Sequence, residues 1–84
     1  MEIKIQYQGI DFLILPTETS YDLYKVGLTE KGKEKRLVLG YFSSLGASVE
    51  KIVKTSLASS DETVTLNEYI RRYEKARGEI LSLI

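Results

Sequence analysis

The side chains that could do chemistry in this chain of 84 residues are carboxylates, amines, guanidinium groups and phenols, because it contains neither His nor Cys. Without those two residue types, the usual activated pairs of nucleophilic and acid–base catalysis are missing. A disulfide is excluded, and so is a structural zinc site built from Cys and His. The composition therefore predicts a protein that is not an enzyme and that has no cofactor and no metal.

Carboxylate catalysis would require acidic residues that converge on one point. The candidates are Glu2, Asp11 and Asp22, one for each of three predicted strands. Asp22 together with residues 34–36 has a weak similarity to the mixed acidic and basic clusters of metal-dependent nucleases. Glu34 lies at a predicted hairpin tip, where convergence on a buried metal is not expected. We therefore interpret most of these acids as solvated surface charges.

A lysine-rich segment between two apolar runs is the main binding candidate. Residues 25–36 carry a net charge of +3. Such a turn could contact an acidic protein or phosphate, and neighbouring tyrosines could stack on bases. It also fits a charged turn that only keeps a sheet edge soluble. The predicted partner-binding residues are Tyr24, Lys31, Lys33, Lys35, Arg36 and Tyr41.

A second basic patch is predicted near the end of the chain. Its cations could contact phosphate or an acidic partner, or they could form a solvated helix face. Tyr and Arg often anchor interfaces, although tyrosines can equally fill a small core. The basic residues are Arg71, Arg72, Lys75 and Arg77, and Tyr69, Arg72 and Tyr73 are the possible contact residues.

Length and charge narrow the class of protein. We expect one domain over residues 1–84. Twelve basic residues balance twelve acidic ones, which argues against a dedicated nucleic-acid binder and against an acidic DNA mimic. No apolar run approaches the roughly 18 residues of a membrane span, and the first residues lack the apolar core of a signal peptide. A cytoplasmic location is therefore expected.

Alternation of apolar and polar residues at period two predicts two β-hairpins. The first joins strands 2–7 and 10–15 through a turn at Gln8 and Gly9, and Pro16 ends it. The second joins strands 21–28 and 36–42. In the last strand, strict alternation places Leu37, Leu39 and Tyr41 on one face and Val38, Gly40 and Phe42 on the other. Glycine at positions 27 and 40 indicates a bulge or close packing against the backbone.

Two amphipathic helices follow. Ser44 is a predicted N-cap, and a loop is expected at residues 59–62. Thr65 and Glu68 fit a capping box that opens the last helix. The first stripe contains Leu45, Val49, Ile52, Val53 and Leu57; the second contains Leu66, Tyr69, Ile70, Tyr73, Ala76, Ile80 and Leu83. The predicted fold is α+β, with a four-stranded antiparallel sheet and two helices on one face (ββββαα). The apolar tail at residues 80–84 predicts either a homodimer through the last helix or a tail that folds back onto the sheet.

The motif Tyr21-x-Leu23-x-Lys25 precedes a turn with Gly32-Lys33, then residues 39–45 (L-G-Y-F-S-S-L) and residues 57–61 (L-A-S-S-D). In this order the motifs resemble those of a family of small phage and prophage proteins, mainly of Gram-positive hosts, over roughly residues 1 to 80. The family has no established activity. The resemblance implies an accessory phage protein, a class that includes inhibitors of host defence such as anti-CRISPR proteins.

Three functions remain open from the sequence. The first is a phage-derived interaction protein that binds a host protein or ribonucleoprotein complex and inhibits a defence complex. The second is a small nucleic-acid binder that uses the basic turn at residues 31–36. The third is an oligomer that captures a small molecule, for which the sequence has no phosphate-binding glycine loop.

Overall fold

The structure, a computed structural model, describes residues 1–58 and 60–83. Ser59 of the predicted loop and Ile84 of the predicted apolar tail lie outside the described residues. The predicted α+β fold is confirmed, with an antiparallel sheet in the order β1-β2-β3-β4 followed by two helices. The elements are β1 (Ile3–Tyr7), β2 (Ile10–Pro16), β3 (Tyr21–Leu28), β4 (Glu34–Phe42), α1 (Leu45–Ala58) and α2 (Leu66–Leu83).

The β1–β2 hairpin closes through a turn of two residues in the left-handed region. Gln8 has φ 52° and Gly9 has φ 76°, and Tyr7 pairs with Ile10 directly across the turn. Two consecutive residues with positive φ are typical of the type I′ turn, whose twist matches that of the strands. The resulting register sets the apolar residues of β1 opposite those of β2, on the face that the helices cover.

A bulge in β4 interrupts the β3–β4 pairing. Leu23 pairs with Gly40 but Tyr24 pairs with Val38, so Leu39 is an extra residue on β4. An extra residue shifts all later side chains to the other face of the sheet. The prediction that Leu37, Leu39 and Tyr41 share one face is therefore wrong, since Leu37 pairs with Lys25 and Tyr41 with Asp22. The strand also begins at Glu34, two residues before the predicted start.

Gly40 leaves room for an aromatic ring, as the sequence predicted. A Cβ atom at position 40 would lie 2.8 Å from Cζ of Phe42, and Phe42 packs against the core. Gly27 has no atom within 4 Å of the same position and shows no such contact.

The core lies between the sheet and α1, and the side chains at its centre are fully buried. Of the predicted α1 stripe, Val49, Ile52 and Val53 are fully buried. Two serines beside them are also buried, which the apolar pattern did not predict. Ser48 donates a hydrogen bond to the Leu45 carbonyl at 2.7 Å, and Ser56 donates one to the Ile52 carbonyl at 2.9 Å. These internal bonds let small polar side chains occupy an apolar interface.

The helix α2 packs on α1 and reaches the sheet at the edge strand β1. Of its predicted apolar stripe, only Ala76 and Ile80 are buried, and Tyr73 is partly buried. The phenol of Tyr7 donates a hydrogen bond to Oε2 of Glu79 at 3.0 Å, which ties β1 to α2. Within the described ranges, no helix has the length and hydrophobicity that a membrane span requires.

Both predicted helix caps are present, but the predicted capping box is only half formed, since among the described residues the Thr65 amide makes no hydrogen bond to the Glu68 carboxylate. The Ala47 amide donates to Oγ of Ser44 at 3.1 Å, and the Glu68 amide donates to Oγ1 of Thr65 at 3.2 Å. The Glu68 carboxylate accepts a hydrogen bond from Nε of Arg72 at 3.1 Å. Glu68 therefore adds an ion pair to the first turns of α2.

Candidate partner-binding surface

The far end of the β3–β4 hairpin stands clear of the rest of the sheet. The pairing of β2 with β3 ends at Asp11 and Val26, so beyond that point the sheet consists of two strands only. Every residue from Gly27 to Val38 is exposed. We call residues 27–38 the hairpin arm: residues 27–35 form its two-stranded end, and residues 36–38 continue along the edge strand β4, where β3 is still paired with β2.

The tip of the arm is an ordered turn rather than a loose loop. Thr29 donates its amide to the Lys33 carbonyl at 2.8 Å, and the Gly32 amide donates to the Thr29 carbonyl at 2.8 Å. The Lys33 amide donates to Oγ1 of Thr29 at 3.1 Å. These bonds fix the backbone from which Lys31 and Lys33 project.

The arm presents apolar as well as basic side chains. Leu28 is 77% exposed, Leu37 55% and Val38 44%. A turn that only kept a sheet edge soluble would carry charges or proline at such positions. Leu28 and Val38 lie on the face of the ribbon that points away from the helices and Leu37 on the opposite face, so both faces carry apolar surface that gains stability when it is covered.

The structure divides the predicted contact residues among three places. Tyr24, Arg36 and Tyr41 belong to the open face of the sheet, which is the face away from the helices; their partners across the strands are Val38, Val26 and Asp22. Lys35 is next to Arg36 along the strand and therefore points to the opposite face. Lys31 and Lys33 lie at the tip. The six residues thus surround the arm and do not form one flat patch.

Arg36 is already engaged within the molecule. Its Nη2 lies 3.8 Å from Oε1 of Glu2 and 3.5 Å from Oε2 of Glu34. By contrast, Lys31, Lys33 and Lys35 form no ion pair in the part of the chain that the structure describes. The three lysines therefore supply the uncompensated positive charge of the arm.

A shallow hollow of about 530 Å³ lies on the open face beside the arm. Its charged walls carry both signs, from Lys4 and Arg36 and from the nearby carboxylates. Leu13 lines it and is only 2% exposed although no helix covers this face. Its partners across the strands are Lys4 and Tyr24, whose stem and ring are placed to cover it. Sequence reasoning missed this burial, although the unbroken apolar run at residues 12–15 was a sign of a strand buried on both faces.

The predicted acidic residues do not converge on one point. Glu2 pairs with Arg36, and Asp22 accepts a hydrogen bond from Oγ of Ser20 at 2.6 Å. Asp11 lies across from Val26 at the edge of the hollow. Residues 1–58 and 60–83 contain no group of three or more acidic, His or Cys side chains that could hold a metal ion.

The second predicted patch, on α2, is partly neutralised. Arg72 lies 2.9 Å from Oε2 of Glu62 and 3.1 Å from Oε1 of Glu68, and hydrogen bonds to Glu68 and then Glu62 raise the pKa of its guanidinium further. Arg71 lies 3.7 Å from Glu68. The rings of Tyr69 and Tyr73 are tilted by 40° with centroids 6.3 Å apart. Arg72 and the two rings are therefore near one another, but the charge of Arg72 is compensated.

Comparisons of the chain with protein-family models, with curated proteins and with solved structures found no match.

Proposed function

We propose that this protein is a non-catalytic binding protein that docks onto a larger macromolecule through the hairpin arm. One observation carries the proposal: the arm is exposed along its whole length, yet it combines apolar side chains with unpaired lysines on a hydrogen-bonded tip. Leu28, Leu37 and Val38 would be covered on binding, and the ordered tip reduces the entropy that binding would cost.

The partner that fits best is a protein with an apolar groove and an acidic rim. Interfaces bury an apolar centre and leave a polar rim in contact with water. Leu37 and Val38 are neighbours in β4 and point to opposite faces of the arm, so a groove that encloses the ribbon would cover both of them as the apolar centre. Lys31, Lys33 and Lys35 would face the acidic rim, where complementary charge mainly raises the association rate. Tyr24 and Tyr41 extend the contact onto the open face of the sheet.

The resemblance to phage and prophage proteins supports a bacterial host protein or ribonucleoprotein complex as the target. A small protein without catalytic groups can inhibit a larger complex by occupying the surface on which that complex works. Inhibition of a host defence complex would be such an effect.

The test is capture from a nuclease-treated bacterial lysate by the immobilised chain. We expect the unmodified protein to retain a specific acidic protein and the double variant L28S/L37S to lose it. A second variant, L66S on α2, removes an equally exposed leucine outside the arm and should retain the partner. Equal capture by all three proteins would overturn the role of the arm.

Nucleic-acid binding is the second candidate, and it is favoured by the three unpaired lysines, of which Lys31 and Lys33 lie on the ordered tip and Lys35 lies beside it. Phosphate contacts are strongest at low salt, and Tyr24 and Tyr41 could stack on bases. Fluorescence anisotropy with single-stranded DNA and RNA at low salt tests it. Binding that is lost in K33E/K35E but kept in K54E/K75E, a matched pair of exposed lysines on the helices, would establish this function. Absence of binding below tens of micromolar would exclude it.

A further inference from the structure

A row of exposed side chains runs along α2, on a side of the helix that does not face the core. Leu66 is 73% exposed, Ile70 45% and Leu81 40%, and Glu74 and Arg77 lie between them and are also exposed. Spacings of three and four residues place all five on one side of a helix. We call this row the α2 ridge, residues 66, 70, 74, 77 and 81.

The ridge is complementary to itself when two copies of the helix lie antiparallel. With the two-fold axis midway between Glu74 and Arg77, Ile70 of one copy faces Leu81 of the other at each end, and Leu66 lies beyond the contact. The aliphatic stem of Arg77 lies between these contacts and can cover apolar surface while its charge remains in water. The apolar contacts are thus repeated by symmetry, as an isologous interface requires.

The charges of the ridge match in the same arrangement. Glu74 of one copy faces Arg77 of the other, and the axis repeats this pair. Within the described residues, neither Glu74 nor Arg77 is engaged in an ion pair of its own chain. Both side chains are therefore available for a partner, in contrast to Arg71 and Arg72.

We propose that the protein forms a two-fold symmetric dimer in which the α2 ridges of two copies pack antiparallel, with reciprocal Glu74–Arg77 pairs between them. The proposed partner of the ridge is a second copy of this chain. In the antiparallel arrangement, apolar positions meet apolar positions and the acidic position meets the basic one. The inference does not depend on the hairpin arm. A dimer would carry two arms, which would raise the avidity for a repeated target.

The experiment is sedimentation velocity over concentrations from about 1 μM to about 500 μM, the range in which small interfaces associate. The unmodified protein should shift from monomer to dimer. E74R places an arginine of each copy opposite Arg77 of the other copy. R77E places a glutamate of each copy opposite Glu74 of the other copy. Each variant should dimerise at least about tenfold more weakly, because like charges that face each other across an interface are unfavourable.

A mixture of the two variants is the decisive experiment. A heterodimer of E74R with R77E restores two opposite-charge pairs, so an equimolar mixture should associate although neither variant does so alone. K75E changes an exposed lysine of α2 outside the ridge and should dimerise like the unmodified protein. Circular dichroism of each variant verifies that α2 is intact.

Three results would overturn the proposal. The first is a monomer over the whole concentration range. The second is undiminished dimerisation of E74R and R77E, which would place the interface elsewhere. The third is a mixture of the two folded variants that stays monomeric, which would exclude the antiparallel register.

Discussion

Gly40 is a position at which one added methyl group would meet a ring that packs on the core. Its Cβ would lie 2.8 Å from Cζ and 3.0 Å from Cε2 of Phe42, so the ring would have to move. We predict that Gly40→Ala lowers the free energy of unfolding by about 1–3 kcal/mol, the usual cost of overpacking. Urea denaturation followed by circular dichroism measures it.

Gly27 provides the matched control because it is also in a strand but has open space around its Cβ position. Gly27→Ala should leave stability unchanged or raise it by about 0.5 kcal/mol through the unfolded state. The combination of Gly40→Ala with Phe42→Leu should cost less than the sum of the two single changes. Equal stability of the two alanine variants would contradict this account of Gly40.

Tyr7 makes a single side-chain bond that connects the first strand to the last helix. Its phenol donates to Glu79 at 3.0 Å, and the ring is buried. We predict that Tyr7→Phe lowers the free energy of unfolding by about 1 kcal/mol, the net value of one such hydrogen bond. Tyr41→Phe, at a side chain 66% exposed, should have no measurable effect on thermal or urea unfolding.

The same bond makes a prediction for alkaline pH. Burial, and then the hydrogen bond to the Glu79 carboxylate, raise the pKa of Tyr7 above its usual value of 10.0. The unfolded chain therefore loses this proton first as the pH rises, and the stabilisation is complete only below about pH 10. The stability difference between the unmodified protein and Tyr7→Phe should shrink as the pH rises above 10 in a series of urea titrations. A constant difference would contradict the assignment.

At the scale of the elements, the β1–β2 turn carries a local strain. Gln8 adopts φ 52°, a conformation that Asn tolerates better than Gln. We predict that Gln8→Asn raises the free energy of unfolding by about 0.5 kcal/mol, within the range of propensity effects. Gln6→Asn, at an exposed position within β1, should not stabilise, because Asn is disfavoured in strands. A loss of stability in Gln8→Asn would contradict the turn type.

Local patterns predicted most elements, because turns, caps and period-two alternation are encoded by neighbouring residues. The Gln8 turn and the Ser44 and Thr65 caps are examples. The bulge at Leu39 could not be predicted, since it depends on how β3 pairs with β4. The apolar stripe of α2 indicated a helix but not which of its residues would be buried; Ala76 and Ile80 are buried because α1 and β1 lie against them.

The candidate site was predictable in its residues but not in its arrangement. The lysines and tyrosines around the second hairpin are conspicuous in the sequence. Their separation onto two faces and a tip follows from strand register. The pairing of Arg36 with Glu2 joins residues far apart in the chain, and the exposure of Leu37 follows from its position on the edge strand β4. None of these features can be predicted from a short stretch of neighbouring residues.

At the scale of the whole molecule, a net charge of zero conceals an uneven distribution. The chain balances twelve basic and twelve acidic residues, yet Arg36, Arg71 and Arg72 are paired while the lysines of the arm are not. The fold measures 38 × 34 × 20 Å, and every residue of the arm is exposed on its surface. Binding through the arm is thus consistent with a neutral chain.

Site-specific photo-crosslinking in a bacterial lysate tests the central claim most directly. A benzoylphenylalanine replaces Leu37 on the arm in one protein and Lys54 on α1 in another. We predict that the group at position 37 crosslinks one macromolecule, that excess unmodified protein competes with this product, and that position 54 gives no such product. Equal crosslinking from both positions, or a product from position 54 alone, would contradict the assignment of the hairpin arm as the docking surface.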